Sequence, residues 1–237
     1  MKHASLPILF CYAGIIGILY IFSNQWVTFG SYPTFTGKHK NYYVGEINVS
    51  WNRLKCGNIM RNWWNQLSKE WQRLLRDAIE WEGKMTEEGF GQILELEELD
   101  CCGYAIRDLK PLTRLVKIEC LDISDTRVYD LSPLKALPNL KELHADYCCF
   151  EDLNPIAELP TLEVLDISYP VSRIRNWGLI RNMSNLRELY CNMCNINTMM
   201  PLLGLEKLEI LSICFNNLCQ REVGVFREEF SSCRVLA

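Results

Sequence analysis

One repeating pattern dominates the second half of this chain and constrains its fold more than any other feature. A leucine or isoleucine opens six successive copies, at Leu96, Ile118, Leu140, Leu162, Leu186 and Leu208. The spacings between these residues are 22, 22, 22, 24 and 22. A period of this size is the signature of a solenoid, in which each copy forms one supersecondary unit. Because a solenoid presents one long surface to solvent, the pattern favours binding over catalysis.

Apolar residues recur at the same positions of every copy and predict the core. Position 4 is always leucine, and positions 6 and 11 are small or branched apolar residues or phenylalanine. Side chains alternate along a strand, so positions 4 and 6 share one face of a short strand. One copy cannot bury that face alone, but stacked copies can. We predict a continuous core of positions 4, 6 and 11, joined in the first five copies by positions 14, 17 and 20.

Two stretches carry the likeness to a known family. They are Ile106-Arg-Asp-Leu-Lys-Pro-Leu112 and Val128-Tyr-Asp-Leu-Ser-Pro-Leu-Lys-Ala-Leu-Pro-Asn-Leu140. With them, residues 96–218 resemble the leucine-rich repeat family, and most of all the 22-residue class of internalins and protein phosphatase regulatory subunits. The resemblance implies an α/β solenoid with a curved parallel β-sheet on its concave face and short 3₁₀ or irregular turns on its convex face. It does not identify a partner.

The copies depart from the family pattern in two places. Position 9 is usually asparagine, whose amide bonds the backbone of the turn. Here it is Tyr104, Thr126, Cys148, Cys194 and Asn216 in five of the copies. The fourth copy places Pro170 near that slot, carries two extra residues and has Trp177 at position 14. We expect a local bulge there, and a tolerated loop insertion is favoured over a functional one.

Both ends of the repeat array carry sequences that predict caps, which an open solenoid needs to cover its apolar ends. Residues 60–95 are predicted to be a helical N-terminal cap, with Ser68 and Thr86 as helix N-caps. Residues 219–237 are predicted to be a helix-plus-strand C-terminal cap, because Val223, Phe226 and Phe230 follow helical spacing. A disulfide between Cys219 and Cys233 is a further possibility, but only if the domain is exported.

An uncharged, mostly apolar stretch runs from Leu6 to Phe22. Its length is at the lower limit for a membrane-spanning helix. We predict that residues 1–22 are a single-pass membrane anchor, or else a signal peptide whose cleavage gives a secreted protein. Residues 23–59 are predicted to be a linker of uncertain order. The charge bias around the stretch favours repeats outside the membrane, whereas the abundant cysteines favour a reducing compartment, so the side of the membrane stays open.

The repeat register predicts which side chains face the concave side of the sheet. Positions 5, 7 and 8 point there, together with Glu98 and Glu142 at position 3. The N-terminal half of this face is acidic, and the C-terminal half carries aromatic and apolar side chains, a composition typical of interfaces. The candidate partner-binding residues are Asp100, Asp122, His144, Asp146, Tyr147, Asp166, Tyr169, Tyr190, Met193 and Phe215.

We interpret this face as a groove for a protein or peptide, with a preference for a basic partner. An ordinary solvated acidic face is the simpler alternative. A structural or envelope-associated spacer without a ligand, and a regulatory subunit of an intracellular enzyme, are the other functions that stay open. The net charge of −4 and the lack of a Lys/Arg cluster argue against nucleic-acid binding. We expect a monomer.

Three sequence features are compatible with a metal site or a catalytic site, but in each case the non-functional interpretation is favoured. Asp122 and Asp166 should flank His144, but a row of surface ion pairs is favoured over a metal site. Cys191 and Cys194 match a zinc or redox motif, yet both fall on core positions. A catalytic set of His144, Asp146 and Cys148 fails because strand alternation turns the thiol inward. We expect no metal, no cofactor and no enzymatic activity.

Overall fold

The computed structural model describes residues 58–237 in full and residues 8–12, 15–22 and 25–27 as backbone strands. The chain divides into two compact units, Met1–Asn65 and Gln66–Ala237, and each is described by itself. In the first unit, strands β1 (Ile8–Tyr12), β2 (Ile15–Phe22) and β3 (Gln25–Val27) pair antiparallel in that order. Residues 58–66 form helix α1.

The predicted anchor or signal segment lies largely on β1 and β2, and its side chains are outside the described residues. Most of the predicted linker, residues 23–59, also lies outside them. Among the described residues, none of the helices combines the length and apolar character that crossing a membrane requires. The anchor, its cleavage and the location of the chain therefore stay predictions.

The second unit begins with two helices whose N-caps are the residues that the sequence indicates. Helix α2 (Lys69–Ala78) follows Ser68, whose hydroxyl accepts a hydrogen bond from Trp71 N at 3.2 Å. Helix α3 (Glu87–Leu94) follows Thr86, whose hydroxyl accepts one from Gly89 N at 3.5 Å. These side chains satisfy backbone donors that a helix start leaves without an intrahelical partner.

Helix α2 lies directly on the first repeat. Trp71 is buried, and its Nε1 donates to the backbone carbonyl of Asp108 at 2.9 Å. The hydroxyl of Tyr104 donates to Asp77 Oδ2 at 2.8 Å, and the Arg73 guanidinium stacks 5.0 Å from the same ring. Tyr104 thus contacts the helix, which accounts for an aromatic residue at position 9 of the first copy only.

Seven short strands form one parallel sheet whose spatial order follows the chain. They are β4 (Glu98–Asp100), β5 (Cys120–Asp122), β6 (Glu142–His144), β7 (Val164–Asp166), β8 (Glu188–Tyr190), β9 (Ile210–Ser212) and β10 (Arg234–Leu236). The six repeats supply β4–β9, and β10 extends the sheet beyond them. Each position-4 leucine pairs with the next one along the sheet, from Leu99 to Leu211. This α/β leucine-rich repeat solenoid is the fold that the period predicts.

Compact turns return the chain on the side opposite the sheet. Four are 3₁₀ helices, Lys110–Arg114, Ser132–Ala136, Trp177–Asn182 and Met200–Gly204, and the third copy has the short helix α4 (Asn154–Ala157). A proline stands at the start of each of these turns except Trp177–Asn182. The fixed φ of proline suits the first position of a helix. The leucines at positions 14, 17 and 20, such as Leu131, Leu134 and Leu137, are buried here as predicted.

Position 9 ties neighbouring repeats together inside the core. Thr126 Oγ1 and Cys148 Sγ both donate to the carbonyl of Ile123, at 2.6 and 3.1 Å. Asn216 Nδ2 does the same for Ile213 at 2.9 Å and for Cys191 of the preceding repeat at 2.8 Å. Threonine and cysteine therefore replace the usual asparagine by satisfying the same buried carbonyl groups.

The two extra residues of the fourth copy are accommodated between Ser168 and Trp177. Val171 N donates to the carbonyl of Cys148 at 2.9 Å, so the wider loop remains bonded to the third copy. Asn176 anchors its end: Oδ1 accepts from Leu153 N at 3.0 Å, and Nδ2 donates to Asp152 Oδ1 at 2.6 Å. Hydrogen bonds to the third copy therefore fix the path of the longer loop in the fourth copy.

The chain ends on helix α5 (Gln220–Glu229) and strand β10. Val223 and Phe226 are buried, and the ring of Phe230 stacks on Phe226 with a centroid separation of 4.4 Å. Cys219 and Cys233 are free thiols, so no disulfide joins them.

Candidate functional site

Two columns of side chains run along the concave face, one at position 3 and one at position 5 of the strands. The register pairs Asp100 with Asp122, Asp122 with His144, His144 with Asp166, and Asp166 with Tyr190. The position-5 candidates therefore form one unbroken column. The position-3 column alongside it comprises Glu98, Cys120, Glu142, Val164, Glu188, Ile210 and Arg234.

The aspartates of the position-5 column also support the fold. Asp100, Asp122 and Asp166 each accept, through Oδ1, the backbone N–H two residues ahead at 2.8 Å. This Asx arrangement turns the chain as each strand ends. Burial raises the pKa of Asp166, and nearby Asp146 raises it further, while hydrogen bonds from Ser168 oppose the shift. These carboxylates are structural as well as candidate contact groups.

Tyr190 continues the column but is held by its own strand. Its hydroxyl donates to Glu188 Oε2 at 2.7 Å. This hydrogen bond, with burial, raises the pKa of Tyr190 to about 12, so the phenol stays protonated near neutral pH. Tyr190 therefore presents a fixed ring rather than a titrating group.

Position 8 forms a row of left-handed residues beside the sheet. The backbone φ is positive in all six copies, at Gly103 (70°), Asp125 (51°), Tyr147 (55°), Tyr169 (53°), Met193 (55°) and Phe215 (60°). In the first five copies the position-8 N–H donates to the position-7 carbonyl of the next repeat, as from Tyr169 to Asn192 at 2.8 Å. This ladder holds bulky residues in a conformation that costs about 1–2 kcal/mol each.

The last four members of this row are large, apolar and accessible, and we call them the aromatic row: Tyr147, Tyr169, Met193 and Phe215. Tyr147 is 48% exposed, Met193 54% and Phe215 79%. The rings of Tyr147 and Tyr169 stack with centroids 5.0 Å apart and an interplanar angle of 6°. The structure thus brings together the aromatic candidates that the sequence indicates.

Charge is distributed unevenly between the concave face and its flanks. Within the part of the chain that the structure describes, every side-chain ion pair lies outside the concave face, as between Lys141 and Glu119 at 2.5 Å and Lys135 and Glu158 at 2.9 Å. The candidate carboxylates Asp100, Asp122, Asp146 and Asp166 take part in none of them. The row of surface ion pairs expected around His144 is therefore absent among the described residues.

Residue Cys120 is a concave residue that the sequence interpretation overlooked. It lies at position 3, opposite Glu142, and its Sγ lies 3.8 Å from Glu142 Oε2. Ligand atoms of Cys120, Glu142 and His144 lie within 4.8 Å of one another, as do those of Asp100, Cys102 and Asp122. Burial and the charge of Glu142 raise the pKa of Cys120. Side chains two residues apart in a strand share a face, so the position of Cys120 two residues before Asp122 was the sequence signal for its concave location.

The two cysteines that match a zinc or redox motif are core residues, as the repeat register predicts. Cys191 and Cys194 are 0% and 8% exposed. Their thiols donate to the carbonyls of Ser212 at 3.5 Å and Ile167 at 3.2 Å. Burial raises the pKa of both thiols, to about 12 for Cys194. Cys148 is likewise buried, and its thiol donates to the carbonyl of Ile123 in the core, whereas His144 is only half-buried.

Comparison with known proteins identifies the fold. No protein-family model and no curated protein sequence matches the chain. Among solved structures, it is similar to an internalin (InlF) of Listeria monocytogenes, with 21% identity and a TM-score of 0.53 over 62% of this chain and 43% of that one. A leucine-rich repeat protein of Leptospira interrogans gives 20% identity and a TM-score of 0.53, over 64% and 39% of the two chains.

An internalin C2 of Listeria monocytogenes gives 23% identity and a TM-score of 0.50, over 65% of this chain and 75% of that one. The chain spans less than half of the first two neighbours. The internalin-like leucine-rich repeat fold is thereby confirmed.

Proposed function

We propose that this leucine-rich repeat chain is a non-catalytic interaction module that binds a protein or peptide on its concave face. Its internalin-like fold supports an interaction role in general. The observation that carries the proposal is the aromatic row, because three of its four side chains are exposed, Tyr169 is half-buried, and all four stand on a backbone that disfavours them. Strained backbone with exposed aromatic groups is characteristic of binding sites rather than of surfaces selected only for solubility.

The charge of the concave face supports a basic partner. Carboxylates that form no ion pair among the described residues lie beside the aromatic row, and their charge favours the approach and alignment of a cationic segment. Tyrosine and methionine next to such charges provide apolar contact area that the segment covers on binding. We infer that basic side chains of the partner bind over strands β4–β7 and that its apolar side chains bind over the aromatic row.

The proposal is tested by affinity capture with the full chain as bait, compared with a Tyr147→Ala/Tyr169→Ala variant. Truncating two interface tyrosines should weaken a specific complex by about 2 kcal/mol or more, so the partner should be lost. Tyr129→Ala is the matched control, since Tyr129 is 69% exposed and lies outside the strands and the aromatic row. All three proteins should have similar melting temperatures.

A partner retained by the wild type and by the Tyr129 variant, but not by the double variant, supports the concave groove. Equal capture by all three proteins would contradict it and favour a different binding surface. A lack of any specific partner would favour the spacer function.

A further inference from the structure

We propose that Cys120, Glu142 and His144 form a binding site for a divalent metal ion of the zinc type, between β5 and β6 on the concave face. This inference does not depend on the proposed partner binding. It arises because the strand register brings a thiol, a carboxylate and an imidazole from two neighbouring repeats to one point.

The separations of these donor atoms suit a small tetrahedral ion. All lie within 4.8 Å of one another, and Cys120 Sγ is 3.8 Å from Glu142 Oε2. Metal–ligand bonds of about 2.0–2.3 Å in tetrahedral zinc sites place neighbouring ligand atoms about 3.5 Å apart. Glu142 is exposed and the other two side chains are only half-buried. We therefore expect side-chain rotation to bring the three donor atoms to that spacing while the strands stay in place.

The chemistry of the three donors selects the class of metal. Thiolate and imidazole are preferred ligands of zinc and its neighbours, whereas magnesium and calcium take oxygen donors. Three protein ligands leave a fourth position for water, the arrangement of an open rather than a closed zinc site. Metal binding displaces the Cys120 thiol proton to solvent, and the bound cation offsets the repulsion between the resulting thiolate and the carboxylate of Glu142.

The neighbouring cluster of Asp100, Cys102 and Asp122 differs in a decisive way. It has no imidazole, and Oδ1 of each aspartate already accepts a backbone N–H at 2.8 Å. We therefore assign it no ion of its own. Its carboxylates lack ion pairs within the described residues, so they raise the local cation concentration beside His144.

The test is titration of the reduced, metal-free full chain with Zn²⁺ by calorimetry and with Co²⁺ by absorption spectroscopy. The wild type should bind Co²⁺ with the intense near-ultraviolet band of a thiolate ligand. Cys120→Ser should abolish that band, and His144→Ala should weaken Zn²⁺ binding by at least about tenfold through loss of a direct ligand. Glu142→Gln, a nearly isosteric change at an exposed residue, should also weaken it.

Cys102→Ser is the matched control, because it removes an exposed concave thiol outside the proposed ligand set. It should keep the band and an affinity within about twofold of the wild type, since no ligand is lost. Melting temperatures in chelator should be similar for all variants. The proposal is overturned if the wild type shows no thiolate band, if Cys102→Ser loses as much affinity as Cys120→Ser, or if a Cys120→Ser/His144→Ala double variant binds as tightly as the wild type.

Discussion

Single residues at position 8 combine two costs that a purely structural repeat would avoid. Phe215 is 79% exposed and has a φ of 60°, so its ring gains little burial while its Cβ is strained. Glycine adopts this conformation without that strain, and the first copy does have Gly103 at the same position. We interpret the retained strain as the consequence of a need for side chains on this row.

Comparison of Phe215→Gly with Phe215→Ala isolates the strain. Both variants remove the ring, but only alanine keeps the Cβ that disfavours positive φ. We expect the glycine variant to be more stable by about 1 kcal/mol, measured by urea unfolding, because relief of strain exceeds the entropic penalty of glycine. An alanine variant as stable as the glycine variant would mean that the backbone is not strained. Both variants should bind the partner more weakly than the wild type.

For single residues, the sequence predicted the face on which a side chain lies better than it predicted the backbone conformation. The period placed Tyr147 and Met193 in one row, because it fixes which positions share a face. It could not predict their positive φ, since tyrosine and methionine have no preference for that conformation. Gly103 and Asp125 were the hints, because glycine and aspartate adopt this conformation more readily than other residues. Cys120 was not predicted as a concave residue, because a cysteine fits a buried position as readily as an exposed one, whereas the charges of Glu98 and Glu142 mark position 3 as accessible.

Among the elements, the turns opposite the sheet depend on one repeated polar contact. Asp108, Asp130 and Asp152 each accept, through Oδ1, the backbone N–H two residues ahead at 2.9 Å. A proline at the start of each short helix that follows these aspartates made the turns predictable from the sequence. The fourth copy was less so, because Trp177–Asn182 forms a 3₁₀ helix without a proline after an insertion whose path depends on Asn176.

Asp152 is the residue whose loss should affect these turns most. Its Oδ1 accepts hydrogen bonds from Asn154 N at 2.9 Å, Asn154 Nδ2 at 2.8 Å and Asn176 Nδ2 at 2.6 Å. Asp152→Ala should lower the free energy of unfolding by about 1–2 kcal/mol, since it leaves these donors without their acceptor. Thermal and urea unfolding measure the change, with Asp152→Asn as the variant that keeps an acceptor.

The contribution of Asp152 should also depend on pH. The backbone hydrogen bond from Asn154, with the side-chain amides, lowers the pKa of this carboxyl below its ordinary value of 3.8. A lowered folded-state pKa means that the stabilisation is complete above 3.8 and is lost as pH falls through the folded-state value. Asp152→Asn should lack that acid dependence, and an unchanged pH profile in the variant would contradict the assignment.

Across the whole repeat array, charge is separated by face. Several lysines and arginines pair with carboxylates on the flanks and turns, as Lys141 does with Glu119, while the carboxylates of the concave face form no ion pair within the described part of the chain. A formal net charge of −4 understates this separation, because the flanking pairs cancel. The sequence predicted the acidic face from the register, but the pairing on the flanks depends on rotamers and on contacts between copies.

If this separation guides a basic partner, reversing charge on the concave face should act mainly on the association rate. Glu98→Lys/Asp146→Lys changes two concave carboxylates whose side chains are not the acceptors of the Asx turns. Glu206→Lys/Glu228→Lys raises the formal net charge by the same amount at exposed positions away from that face. At low salt, we expect the association rate constant with the captured partner to fall by about tenfold or more in the first variant and to change little in the second. The difference should shrink as salt screens the field, whose range is about 10 Å at 0.1 M. Equal slowing in both variants would mean that net charge, rather than the concave face, directs the encounter.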